Sequence, residues 1–147
     1  MSTVWPDSER TLGRPNRDEA FSALRRALDR IFMVFQPIVS WADREIVAYE
    51  ALVRTEEPSL ARPDLLFSAA ERLDMIIPMG RAIRRKVAEQ IGKAPPGVSI
   101  FVNVHGGELA DPELYAADAP QRSVAYAGIP RFTDVAGQPF AVFRSRA

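Results

Sequence analysis

The stretch Ile46-Val47-Ala48-Tyr49-Glu50-Ala51-Leu52-Val53-Arg54 decides how this chain is read. Its first four residues are apolar and rich in β-formers, and a continuous apolar run of that length is expected of a buried strand. Side chains alternate along a strand, so Glu50, Leu52 and Arg54 point to one face. A carboxylate and a guanidinium on a buried face require a partner, because an unpaired buried charge is costly. Glu50 offers a hard oxygen to a divalent cation. Arg54 offers a planar fork that fits a phosphate. The competing reading is an internal Glu50–Arg54 ion pair that only holds the fold.

Upstream, Ile31-Phe32-Met33-Val34-Phe35-Gln36-Pro37-Ile38-Val39 reads as a first strand that ends near Pro37, which lacks a backbone donor. The polar turn around Asp43-Arg44 is short, so the two strands are expected to run antiparallel. Earlier still, Asn16 and Glu19 have capping-box spacing. Phe21, Leu24, Leu28 and Ile31 then fall on one helical face, with Arg25, Arg26 and Arg30 largely off it. Downstream, Pro63 opens a helix with the stripe Leu65, Leu66, Ala69, Ala70 and Leu73. A second helix runs from Pro78 to about Ile91, where Gly92 and Pro95-Pro96 stop it. Its basic residues Arg81, Arg84, Arg85 and Lys86 read as a solvated face in preference to an anion site. Val98–Val104 forms a third strand, with Phe101, Asn103 and His105 on one face, and Gly106-Gly107 ends it. Glu108–Tyr115 reads as a short turn into a helix start. A lone histidine at a strand end such as His105 is expected to be a structural hydrogen-bond partner rather than a ligand.

The 147 residues suffice for one globular domain with a real core. The formal net charge is zero, which gives no reason to expect nucleic acid or a membrane surface as partner. The sequence contains no cysteine, so disulfides and thiolate metal sites are excluded. No secretion signal or membrane-spanning run is apparent, and a cytoplasmic protein is the expectation.

Three segments in order carry a resemblance: Phe35-Gln36-Pro37-Ile38-Val39, Glu50-Ala51-Leu52-Val53-Arg54 and Phe101-Val102-Asn103-Val104. With the connecting Leu65–Leu73 and Ile77-Pro78-Met79-Gly80, they resemble the EAL-domain family of bacterial phosphodiesterases that hydrolyse cyclic di-GMP. The resemblance covers roughly residues 32–115. It implies an α/β fold, a partial, truncated TIM-type (β/α) barrel with its first strand antiparallel and its substrate at the strands' carboxyl ends. It implies that Glu50 is a Mg²⁺ or Mn²⁺ ligand and that Asn103 is a second one through its amide oxygen. It also implies that Gln36, Leu52 and Arg54 contact the substrate, Arg54 at a phosphate. Cyclic di-GMP is the implied ligand. His105 stands where many members have serine.

Much of the family's pattern is missing. A complete barrel of this type takes about 250 residues. The family's later glutamate ligand, Asp-Asp pair, lysine and last glutamate find no match: Asp134 is a lone aspartate and no lysine follows Lys93. Two-metal hydrolysis needs ligands around both ions, so the chain is expected to lack independent phosphodiesterase activity. An active enzyme completed by another chain and a nucleotide-free interaction module are the alternatives. Residues 1–17 read as a flexible leader and 18–118 as the amino-terminal portion of the barrel. Residues 119–147 read as a divergent, irregular tail, either disordered or of the composition a GC-rich gene gives when read out of frame. Only Ala141-Val142-Phe143 within it suggests a short strand. Three barrel strands would leave open edges, so the tail, self-association or another chain is expected to cover them.

Overall fold

A computed structural model describes residues 16–94 and 97–115, together with the backbone of 124–127 and 140–145. Most of the expected leader therefore lies outside the described residues, as do Asp134 and much of the expected tail. The order is α1 (Arg17–Asp29), β1 (Ile31–Ser40), β2 (Glu45–Thr55), α2 (Pro63–Arg72), α3 (Ile76–Ile91), β3 (Ser99–Asn103), β4 (Val124–Ala127) and β5 (Phe140–Ser145). The strands form one mixed sheet in the order β1-β2-β3-β5-β4. β1 and β2 are antiparallel, as the short turn requires. β2 and β3 are parallel, with α2 and α3 making the crossover.

The helices pack on one face of this sheet. Ala51 and Val53 of β2 and Ile100 and Val102 of β3 meet Leu24, Leu66, Met79, Ile83 and Val87 in a single core. Asn16 caps α1 by accepting from the Asp18 backbone, 3.4 Å away. The α1 stripe is shorter than its spacing suggests. Leu24 and Ala27 are buried, Phe21 is exposed, and Ile31 already belongs to β1. The Thr55 hydroxyl donates to the Ala27 carbonyl at 3.0 Å, beside the Arg30 N–H that also donates to it at 3.1 Å, and so ties β2 to the end of α1. α3 begins at Ile76 rather than Pro78, since a proline is tolerated within the first helical turn. β1 likewise runs through Pro37 to Ser40, because an edge strand accommodates a missing donor.

Two expectations are corrected. Ile46 and Val47 are not buried but more than half exposed, like Val39, and Trp41 at the turn is 92% exposed. β3 pairs with β2 only from Tyr49 onward. The start of β2 therefore has β1 as its one partner strand, and its apolar run projects past the core. The tail contains the short strand expected around Ala141-Val142-Phe143, as β5, and a second strand, β4, that was not expected. β5 pairs antiparallel with β3, matching Ser99 to Arg144 and Asn103 to Phe140, and β4 pairs with β5. The β3 edge is thus covered by the tail, one of the expected covers. A parallel strand would occupy that position in a continuing (β/α) barrel. β4 is Val-Ala-Tyr-Ala, too short and too alanine-rich to stand out as a strand in the sequence.

Candidate functional site

The sheet face turned away from the helices carries the residues singled out by the sequence. In β2, Ala51, Val53 and Thr55 are buried toward the core, while Glu50, Leu52 and Arg54 are half-buried on the other side. The antiparallel register sets Gln36 beside Glu50, Val34 beside Leu52 and Phe32 beside Arg54. The parallel register sets Phe101 beside Glu50. Asn103, at the carboxyl end of β3, reaches across and donates from Nδ2 to Glu50 Oε1 at 2.9 Å. Arg54 donates from Nη1 to its neighbour's carbonyl, Val53 O, at 2.7 Å. The internal Glu50–Arg54 ion pair is not formed: both side chains project from the same face, but each is held by a neutral group.

β2 and β3 are paired only over Tyr49–Ala51 and Ile100–Val102. Toward their carboxyl ends a cavity of about 260 Å³ lies beside them, lined by Leu52, Arg54, Phe67, Ile83 and Asn103 among others. Its walls are mostly apolar, and Arg54 and Asn103 are its polar lining residues.

A divalent cation requires several hard oxygen donors converging on one point. Glu50 and Asn103 bring two hard oxygen donors onto neighbouring strands, of the type suited to Mg²⁺ or Mn²⁺. However, the Asn103 contact to Glu50 is through its N–H, not its oxygen. Among the described residues no group of three histidine, aspartate or glutamate side chains could hold a metal. The residues therefore fit one side of a coordination shell and do not fit a cation held by the described residues alone.

His105 has a structural role, as expected of a lone strand-end histidine. Gly107 N donates to its Nδ1 at 3.0 Å, so Nδ1 is the unprotonated nitrogen of the neutral ring. Nε2–H then donates to Glu71 Oε1 at 2.9 Å. The ring lies nearly parallel to Phe67, with centroids 6.3 Å apart. It caps the short 3₁₀ turn Gly106–Ala110.

A second charged cluster lies behind β3. Arg84 on α3 is only 5% exposed and is clamped between Glu108 and Asp111, both buried. Arg81 adds a two-pronged contact to Asp111 at 2.7 and 3.1 Å and an ion pair to Glu113 at 3.0 Å. His105 N donates to Glu108 Oε1 at 3.0 Å, and Glu113 N donates to Asp111 Oδ1 at 3.0 Å. The Arg81 hydrogen bonds, with Glu113 N–H and Arg84, pull the Asp111 carboxyl down to about 2. Burial pushes the Glu108 carboxyl up, against the His105 N–H and Arg84. The expected solvated face of α3 is thus corrected for Arg84 and in part for Arg81. The sequence held a signal: Gly80, Arg84, Val87 and Ile91 share one helical face, and all four are buried. Gly80 is required there, because a Cβ would collide with the Glu108 carboxylate.

Comparison with known proteins places these residues in context. The EAL domain family model matches residues 21–132, extending at both ends beyond the stretch that carries the motifs. An uncharacterized protein of Mycobacterium tuberculosis (strain H37Rv) is 30% identical over 117 residues, which covers 74% of this chain and 38% of that relative. A Mycobacterium bovis protein, also described as uncharacterized, matches at the same 30% identity and coverage. Cyclic di-GMP phosphodiesterase PdeR of Escherichia coli (strain K12) is 34% identical over 101 residues, 64% of this chain and 15% of PdeR. The chain spans less than about two fifths of the length of these relatives.

Proposed function

This chain belongs to the EAL-domain family, and from that premise we propose that it acts in cyclic di-GMP signalling through the bare face of its sheet. Arg54 takes a phosphate oxygen of the nucleotide, because its remaining donors form a fork that matches the anion. Leu52 and Gln36 flank it as further contacts. Glu50 and Asn103 are the residues that would offer oxygens to a Mg²⁺ or Mn²⁺ ion, which would supply positive charge beside the phosphate. The observation that carries this reading is the meeting of Asn103 and Glu50 at 2.9 Å, on the face that Arg54 shares and beside the cavity it lines. The name of PdeR supports the same ligand. The antiparallel opening strand and parallel β2–β3 pair support the first part of a TIM-type barrel, in which 18–118 is the barrel portion.

The same geometry argues against hydrolysis by these residues alone. A two-metal displacement needs ligands around both ions and a positioned water, and the described residues supply one carboxylate and one amide. Contact with the nucleotide without independent phosphodiesterase activity is the reading we adopt. The open face beyond Glu50 favours one second reading, an active phosphodiesterase completed by another chain.

Titration calorimetry of the full chain with cyclic di-GMP and Mg²⁺ tests the first reading. Binding that Arg54→Ala abolishes is the expected result. No heat at high micromolar nucleotide would overturn it and favour an interaction module without a nucleotide. Turnover by the purified chain, lost in Glu50→Ala, would establish the second reading instead.

A further inference from the structure

Apart from its polar groups, the bare face exposes large apolar side chains. Phe32 and Val34 of β1 are 45% and 43% exposed, and Leu52 lies beside Val34. Monomeric proteins rarely leave such a face uncovered. The described helices all pack on the opposite side.

The face has a charge pattern that is complementary to itself. β2 presents Glu50, then Leu52, then Arg54, with the two ions about 13 Å apart at the usual strand rise. The paired row on β1 reads Gln36, Val34, Phe32. Among the described residues Glu50 accepts only from the neutral Asn103 amide, and Arg54 donates only to the neutral Val53 carbonyl, so neither charge is matched. Consider a two-fold axis lying across the strands at the Val34–Leu52 row. It sets Leu52 over Leu52 and Val34 over Val34 of a second copy. The same rotation lays Arg54 over the other copy's Glu50, twice. An axis along the strands would instead oppose Glu50 to Glu50, so the charges select the antiparallel stack. Sheets packed face to face in this aligned manner are about 10 Å apart, a gap that long side chains span.

We infer that the chain forms a symmetric dimer through this face, with two Glu50–Arg54 pairs around an apolar centre. The same side chains serve the nucleotide reading above, so dimer and nucleotide complex exclude each other. Only this last consequence rests on that reading.

Sedimentation velocity of the full chain over a concentration series tests the dimer. Glu50→Arg and Arg54→Glu each place like charges in register, and each is expected to raise the dimer dissociation constant at least about tenfold. The double variant inverts both pairs and is expected to restore it to within about threefold of the wild type. Restoration separates a lost contact from a misfolded variant. A wild-type chain monomeric at all concentrations would overturn the proposal, and so would single variants that dimerise unchanged. Adding cyclic di-GMP shifts the wild type to monomer if both readings hold. A dimer indifferent to nucleotide leaves the interface standing and removes the nucleotide link.

Discussion

The chain carries two clusters of charge that differ in how they are satisfied. Behind β3, Arg84, Glu108 and Asp111 are buried, and each carboxylate oxygen meets a guanidinium or backbone N–H. On the bare face, Glu50 and Arg54 are half-buried and each meets one neutral group. A buried, internally matched cluster has no donors or acceptors left for a ligand, so its chemistry is spent on the fold. The open cluster contributes little to the fold and keeps its charges for a phosphate, a cation or a second copy. Charge type does not separate the two, since both are built from arginine and carboxylate. Burial and partner count do.

The contrast is broken most directly at Arg84. Arg84→Ala leaves Glu108 and Asp111 buried with one partner fewer each, and such a loss costs about 3–5 kcal/mol. Urea unfolding should show it as a large drop in midpoint at unchanged slope. A loss under about 1 kcal/mol would mean that the cluster is solvated and the contrast false. Gly80→Ala probes the same clamp without touching a charge. The new methyl meets the Glu108 carboxylate, which Arg84 and His105 N hold in place. A stability loss of about 1–3 kcal/mol is expected, as for other overpacked sites, although alanine is the better helix former.

Acid unfolding sharpens the comparison further. Asp111 has a folded pKa of about 2, below its ordinary 3.8. Its contribution is complete above the ordinary value and is lost as pH falls from about 4 to 2. Glu57, likewise lowered to about 2 by Arg26 and Ser59, adds to the same limb. Glu108 acts in the opposite sense: its raised pKa makes folding more favourable below its ordinary 4.5, and that benefit is lost as pH rises through the folded value. Asp111→Asn should therefore flatten the stability–pH curve between about pH 4 and 2. An equally steep limb in Asp111→Asn would assign it to other carboxylates.

The sequence was informative where local chemistry governs and silent where neighbours do. The alternation of Glu50, Leu52 and Arg54 was readable because a strand enforces a period of two, and the brief Asp43-Arg44 turn was enough to orient β1 against β2. The exposure of Ile46 and Val47 was not readable, because it depends on where β3 begins to pair. Arg84 looked like its solvated neighbours because Glu108 and Asp111 lie more than twenty residues away along the chain. The Asn103–Glu50 contact joins positions 53 residues apart, so only the motif order brought them into one argument.

The smallest expected effect is the most telling for the open cluster. Glu50→Gln removes a charge but keeps the shape and an oxygen that accepts from Asn103. At concentrations where sedimentation shows a monomer, the change in stability should stay within about 0.5 kcal/mol, the range of surface substitutions without a special role. The glutamate is half-buried, so its desolvation is modest, and the hydrogen bond survives with a neutral acceptor. If Glu50→Gln instead destabilised the monomer as much as Gly80→Ala, Glu50 would be part of the folding machinery. The distinction between a closed cluster that builds the fold and an open one left for recognition would then fail at the residue on which it most depends.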